Sequence, residues 1–160
     1  SHKFLHRTQE RRRRQIVTSG DDDKIRACEE MGVVAGFNYH REDWHREAAQ
    51  IGFDAIIDSA GGNAVNHYLK MIRPGGRIVI YGSTTGYPEK LDVFRLFWSQ
   101  AYLMGSTMGN DQEFQDMLAY ISTHQLKPRI DRVFRFEDHI LAFDRFKNTD
   151  SFGKIIIRFS

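Results

Sequence analysis

The sequence predicts an α/β fold, a doubly wound parallel sheet with helices between its strands, and three observations carry that expectation. From Gln15 onward, short β-branched runs alternate with stretches of helical period. Gly and Pro fall between the two kinds of segment. One of the strand-like runs, Phe53 to Asp58, is nearly all apolar, as a strand covered on both faces should be.

The first strand covers residues 16–18. Ser19-Gly20-Asp21-Asp22-Asp23 then offers several oxygens able to cap a helix whose Ile25, Cys28 and Met31 recur at a spacing of three, and Gly32 ends it. The second strand lies at residues 34–39, and the acidic pair Glu42-Asp43 opens a helix through Trp44 and Ala48. Phe53–Asp58 is the third strand. Asn63 is expected to cap a helix with Val65, Tyr68, Leu69 and Ile72 on one buried stripe, broken by Pro74-Gly75-Gly76 before a fourth strand at residues 77–81. A Gly/Ser/Thr/Pro loop over residues 82–90 and an unassigned apolar segment over residues 91–100 precede a fifth strand at residues 102–107. Phe114, Met117, Leu118 and Ile121 mark an amphipathic helix capped by Asn110 or Asp111. The tail reads strand (residues 130–136), helix (residues 137–147, with Phe136, Ile140, Phe143 and Phe146 on one side) and strand (residues 154–159).

Composition narrows the classes of function. The chain has 160 residues, 41% of them hydrophobic, which suits one ordinary globular domain. No run of 18 apolar residues occurs, and the first 15 positions lack the apolar core of a secretory signal, so neither a membrane span nor export is expected. The single Cys28 excludes an intramolecular disulfide and a four-cysteine zinc site, and it favours a reducing cytoplasm. Residues 1–14 hold six basic side chains against Glu10, whereas the other 146 residues hold 17 basic against 20 acidic. The basic character belongs to a short arm, so a nucleic-acid partner is not expected.

Parallel α/β sheets take ligands outside the carboxyl ends of their strands. Those ends here are Thr18-Ser19-Gly20, Asn38-Tyr39, Asp58-Ser59-Ala60-Gly61-Gly62, Gly82-Ser83-Thr84 and Gly105-Ser106-Thr107, a repeated rim of small and hydroxyl-bearing residues that a flat nucleotide could approach closely. Turn residues are common at any strand end, which is the plain alternative. Among the 13 glycines no two are separated by a single residue, so the Gly-x-Gly phosphate cradle is missing. Asp58 and Ser59 have no histidine placed to make a nucleophile, and Cys28 sits in an apolar stripe. The seven histidines are scattered without metal-ligand spacing, and the Arg11 to Arg14 run reads as a solvated arm.

The segments QIVTSGDDDKIRACEEMGVVAGFNYHREDW, FDAIIDSAGG, LKMIRPGGRIVIYGSTTG, LFWSQAYLMGSTMG, LKPRIDRVFRFEDHILAFDRF and FGKIIIRF, in this order and spacing, resemble the second half of a medium-chain dehydrogenase/reductase, the superfamily of zinc-type alcohol dehydrogenases and quinone oxidoreductases. The resemblance covers roughly residues 15–160. It implies a Rossmann-like sheet truncated at its N-terminus, without the first strand and glycine turn and without the zinc-bearing catalytic domain. It further implies three regions: residues 1–14 as a basic arm outside the family, residues 15–109 as a partial dinucleotide-binding domain, and residues 110–160 as the segment that returns to the catalytic domain in relatives.

The resemblance implies a nicotinamide cofactor and a set of residues facing it: Thr18, Ser19, Lys24, Tyr39, Ser59, Ala60, Gly82, Ser83, Gly105, Ser106 and Thr107, with no catalytic residue and no metal ligand in this chain. An NAD enzyme normally ends its second strand in a carboxylate that bonds the ribose hydroxyls and repels a 2′-phosphate, yet Thr18-Ser19 stands there. Lys24 and Tyr39 match groups that face the adenosine end in NADPH-linked relatives, so NADP is favoured over NAD, although Asp21, Asp22 and Asp23 lie close by. The expected function is part of an NADP-linked oxidoreductase, inactive alone. Alternatives are an S-adenosylmethionine methyltransferase, suggested by LKMIRPGGRIVI, and a non-catalytic remnant serving assembly. A homodimer or larger assembly is expected through edge-strand pairing at residues 91–97, with Ile155-Ile156-Ile157 left without the partner strands that the catalytic domain supplies in relatives.

Overall fold

The computed structural model describes residues 14–148 and 151–159, so most of the basic arm lies outside the described residues. The chain divides into two compact units, Ser1–Thr107 and Met108–Ser160.

In the first unit β1 (Ile16–Ser19), α1 (Asp22–Glu30), β2 (Ala35–Asn38), α2 (Trp44–Ile51), β3 (Phe53–Asp58), α3 (Ala64–Met71), β4 (Ile72–Ile80), α4 (Val93–Trp98) and β5 (Tyr102–Gly105) follow in order. Strand β1 pairs with β2, and a second sheet has the order β3-β4-β5; every pair is parallel. This is the α/β architecture the alternation implies, because each parallel pair needs a crossover and the intervening helical stretches supply it. Asp21 caps α1, its carboxylate accepting the Asp23 and Lys24 amides at 2.7 and 3.3 Å. Gly32 follows the helix with a φ of +101°, where a side chain would be strained.

The core lies between the β3-β4-β5 sheet and α3. Leu69, Ile72 and Ile78 are buried together, with Phe53, Ile56, Tyr68, Leu96 and Leu103 packed around them. The opposite face of the same sheet is uncovered among the described residues. Ile57, Val79 and Met104 lie side by side across it in register, and Ile57 is 74% exposed. The expectation that this strand is covered on both faces is therefore corrected: its apolar run fits a two-sided burial that only one helical layer supplies here.

Four further expectations are corrected. Strand β4 does not wait for Pro74-Gly75-Gly76 to end a helix. Ile72 already pairs with Phe53, and the next pair is Ala55 with Arg77, so the tripeptide forms a bulge inside the strand. Arg73 pins that bulge, donating to both carboxylate oxygens of Asp54 and to the Ile51 carbonyl. Asn63 stands at the α3 cap position without a cap bond; its oxygen instead accepts the Glu89 amide at 2.9 Å. The segment expected to offer a strand edge at residues 91–97 contains α4, whose N-terminus Asp92 caps through the Arg95 amide. A helix has no free ladder to share, so the sheet edge on that side is β5, which ends at Gly105 and leaves Ser106 and Thr107 beyond it.

Helices α2 and α3 meet through His45 and His67, whose ring centroids are 4.2 Å apart, with Trp44 edge-on to both. The Nδ1 of His67 is buried without a hydrogen-bond partner. Burial, and then the nearby His45 and Lys70, hold the His67 imidazole below its ordinary range.

The second unit holds α5 (Asp111–Thr123), β6 (Ile130–Arg135), a short 3-10 turn (Phe136–Asp138), α6 (His139–Lys147) and β7 (Lys154–Arg158). Asn110 and Glu113 form a reciprocal capping box at α5, which explains why the helix begins there. The stripe of Phe114, Met117 and Leu118 is exposed, and so are Phe136, Ile140, Phe143 and Phe146, so neither amphipathic face is buried among the described residues. Strands β6 and β7 pair in parallel, so Ile155-Ile156-Ile157 have a ladder with residues of β6. Asp131 joins the unit: it takes a two-pronged bond from Arg145 at 2.6 and 2.8 Å and the Phe152 amide at 3.1 Å. The Arg145 guanidinium and that amide hold its carboxyl down at about 2.

Candidate functional site

The candidate residues fall into two groups at the carboxyl ends of the strands. The first forms where β1 and β2 end. The Tyr39 amide donates to the Ser19 carbonyl at 3.1 Å, continuing the strand pairing one residue past β2, and the Ser19 hydroxyl accepts the Asp21 amide at 3.2 Å. Thr18 is exposed on β1, and Lys24 stands half-buried in the first turn of α1. The three aspartates beside them are each engaged. Asp21 caps the helix, Asp22 accepts from Asn38 at 2.9 Å and from Arg41 at 3.2 Å, and Asp23 pairs with Arg26. Asn38 in turn holds Asp22 charged, with help from Arg41, so that its carboxyl lies below the usual carboxylate range.

The second group forms where β3, β4 and β5 end. Asp58 is buried and accepts the Ala60 amide at 3.0 Å and the Gly61 amide at 2.7 Å, which bends the chain sharply at Ser59. The Tyr68 hydroxyl, one turn into α3, bonds the same carboxylate. Burial, then the Asp58 charge and that bond, push the phenol above its ordinary range. The β4 loop locks onto this turn: the Thr85 amide and hydroxyl both donate to the Ala60 carbonyl, at 3.0 and 2.9 Å, and the Gly62 amide donates to the Gly86 carbonyl at 3.0 Å. Gly82 is required for the fit, since a Cβ there would fall 2.3 Å from the Ser59 carbonyl oxygen. Ser83 closes its own loop through the Gly86 carbonyl at 2.8 Å, and the Ser106 amide reaches the Ile80 carbonyl at 3.0 Å. Gly105, Ser106 and Thr107 are exposed beside it.

Ser59, Ala60, Gly82 and Ser83 are thus brought together, and Thr18, Ser19 and Tyr39 form a separate cluster. The sequence reasoning missed Thr85 and Tyr68, which lock the second group, and His40 and Arg41, which close over the first. The signal for the last two was available: both follow Asn38-Tyr39 directly at a strand end. Small residues at the second group allow close approach of a ligand, while the carboxylate there is spent on backbone amides and is in no position to abstract a proton. Among the described residues no three His, Cys, Asp or Glu side chains are grouped to hold a metal ion, and no helix is long and apolar enough to cross a membrane.

The sequence profile described as zinc-binding dehydrogenase matches residues 14–123. The chain is 34% identical over 153 residues to the zinc-type alcohol dehydrogenase-like protein YogA of Leptosphaeria maculans, a match covering 88% of this chain and 42% of that protein. A crystal structure of an NAD-dependent alcohol dehydrogenase superposes with a TM-score of 0.77 at 28% identity, over 91% of this chain and 43% of the other. The fold is also shared, at a TM-score of 0.76 and 18% identity, with the crotonyl-CoA carboxylase/reductase AntE V350A in complex with NADP, over 89% of this chain and 42% of the other. The chain spans less than half the length of each of these proteins.

Proposed function

Because the chain belongs to the zinc-binding dehydrogenase family and carries a Rossmann-like α/β fold with interlocked strand-end loops, we propose that it serves as part of the cofactor domain of an NADP-linked oxidoreductase of the alcohol dehydrogenase and quinone reductase type. Residues 15–109 form the nucleotide side and residues 110–160 the segment that relatives return to their catalytic domain. A bound nicotinamide dinucleotide would supply the hydride. The chain's own residues bind and orient it: Ser59, Ala60, Gly82 and Ser83 offer a closely approachable ledge, with Gly105, Ser106 and Thr107 beside it, and Thr18, Ser19, Lys24 and Tyr39 receive the adenosine end.

One observation carries the reading, the glycine-dependent contact between the β3 and β4 loops, which brings the small residues Ser59, Ala60, Gly82 and Ser83 together at the strand ends. The preference for NADP rests on the absence of a carboxylate at Thr18-Ser19 and on the engagement of all three nearby aspartates. The zinc of the family's name finds no grouped ligands among the described residues, so no step here involves it. The methyltransferase alternative is left without support by the family match. A reducing cytoplasm remains the proposed setting.

Titration of the 160-residue chain with NADPH and NADH tests this. Weak binding that favours NADPH is expected, without NADPH oxidation on adding an aldehyde or quinone, since no Gly-x-Gly turn is present to hold the pyrophosphate. Lys24→Ala should weaken NADPH binding selectively by about 1.5 to 3 kcal/mol. An unchanged preference rejects the role of Lys24, and no affinity for either nucleotide favours the non-catalytic assembly reading.

We also propose a homodimer, formed through side chains on α4 in place of the strand ladder. Phe94 and Trp98 stack at 5.9 Å and Phe97 meets both edge-on, yet all three are more than half exposed. Clustered exposed aromatics of this kind are characteristic of association surfaces. Sedimentation at micromolar concentration should show a dimer that Phe97→Asp converts to monomer; a monomer for both proteins would refute it.

A further inference from the structure

Helix α2 is held at its two ends by different means. At its C-terminal end Arg73 donates to the Ile51 carbonyl at 3.1 Å, and Gly52, with a φ of +68°, joins the helix directly to β3. At its N-terminal end the hold on α3 is an aromatic stack. The His45 and His67 rings lie 4.2 Å apart and 31° from parallel, and Trp44 meets each of them edge-on at 6.1 Å. No strand pairing joins β1-β2 to the β3-β4-β5 sheet among the described residues, so the packing of α2 on α3 is the chief contact between the elements on the two sides. The strands on either side of that junction carry the two clusters of the candidate site.

The Nδ1 of His67 is buried at the junction without a hydrogen-bond partner among the described residues. A neutral imidazole tolerates this with its proton on Nε2, because Nδ1 is then an acceptor that goes unused. A second proton would put a donor without an acceptor, and a positive charge, into the same contact. The charges that act on the ring are His45 across the stack and Lys70 on its own helix, and both oppose protonation, as burial does. The other ionisable side chains of the packed elements are engaged elsewhere: Arg46 with Asp43, Arg73 with Asp54, Arg95 with Asp92, Arg77 with the Tyr102 ring and Tyr68 with Asp58. Glu47, on α2, lines the cavity between α1, β2 and α2. No carboxylate is among the groups that act on the His67 charge.

We propose that His67 is a proton-operated latch: neutral, it holds the N-terminal end of α2 against α3, and protonated, it releases that end, so that α2 swings about Gly52 and carries the β1-β2 pair with it. Once the stack opens, the imidazole meets water and regains its ordinary value of about 6.5. The closed stack keeps it lower. Below about pH 6.5 the open state therefore binds a proton that the closed state resists, and the latch, whole above about pH 7, weakens as the pH falls. The inference stands whether or not either cluster binds a nucleotide.

Amide hydrogen exchange of the 160-residue chain at pH 7.5 and pH 5.5, corrected for the intrinsic pH dependence of exchange, tests the latch. Protection of the α2 amides should fall about fivefold to tenfold on acidification, the size set by one proton that the open state binds and the closed state resists, while Ile78 and Val79 in β4 keep theirs. In His67→Phe, which retains a ring in the stack but gains no proton, α2 protection should be the same at both pH values. An NMR titration of the native chain needs no variant, and in it the His67 ring should titrate below its ordinary value. Unchanged α2 protection in the native chain, an equal fall in His67→Phe, a fall shared by β4, or a His67 ring that titrates at or above about 6.5 overturns the proposal.

Discussion

Asp58→Ala is expected to cost the first unit about 3 kcal/mol of stability, the sum of two short bonds from backbone amides to a buried carboxylate. The substitution leaves the Ala60 and Gly61 amides without their acceptor, and it leaves the Tyr68 hydroxyl without its partner at a site from which water is largely excluded. The loss is not confined to one turn. Thr85 reads the position of the Ala60 carbonyl and Gly62 reads that of Gly86, so releasing the β3 turn releases the β4 loop as well. Urea unfolding gives the stability change, and hydrogen exchange at Ala60, Gly61, Gly62 and Thr85 should accelerate together. A cost below about 1 kcal/mol, or faster exchange at Ala60 and Gly61 only, would show that the two loops are held independently.

Ile78→Ala should cost about 3 kcal/mol, while Ile57→Ala on the neighbouring strand should cost less than about 1 kcal/mol. Ile78 is fully buried against Leu69 and Ile72, so truncation opens a cavity that the surrounding side chains fill only in part. Ile57 is paired with Val79 on the adjacent strand but faces the opposite way, and it is three-quarters exposed. Strand alternation thus turns one chemical change into two very different losses. Equal losses would mean that the uncovered face of the sheet is packed against something in solution, and the same urea experiment repeated across protein concentration would show whether a second copy is responsible.

Much of this was legible in the sequence because strands and their turns are encoded locally. Phe53–Asp58 reads as a strand from its apolar run bounded by glycines, and the structure has it with the same bounds. The cap at Asn110 is equally local, since the box needs only a glutamate three residues on. What escaped depends on groups far apart in the chain. His45 and His67, 22 positions apart in the chain, meet ring to ring only because α2 and α3 pack, a fact no spacing rule contains. Helix α4 was missed because six residues rich in aromatics carry too little periodicity, although Asp92 marks its start. The bulge at Pro74-Gly75-Gly76 was read as a helix end because the same residues punctuate both, and only the partner strand decides which. For the candidate site, the strand-end hydroxyls and glycines were visible as types. Their division into two clusters, with His40 and Arg41 closing one and Thr85 locking the other, follows from backbone pairing.

The strand order has a consequence for how the protein comes to be folded. Every described strand is paired with a strand next to it in sequence: β1 with β2, β3 with β4, β4 with β5, and β6 with β7. Parallel pairing is slow when it must wait for distant segments to meet, because the entropy of closing a long loop is lost before any ladder bond forms. Here each closure spans a single crossover, so the entropy lost before the first ladder bond is small for every described pair. The described pairs thus need no strand from a distant part of the chain to begin forming.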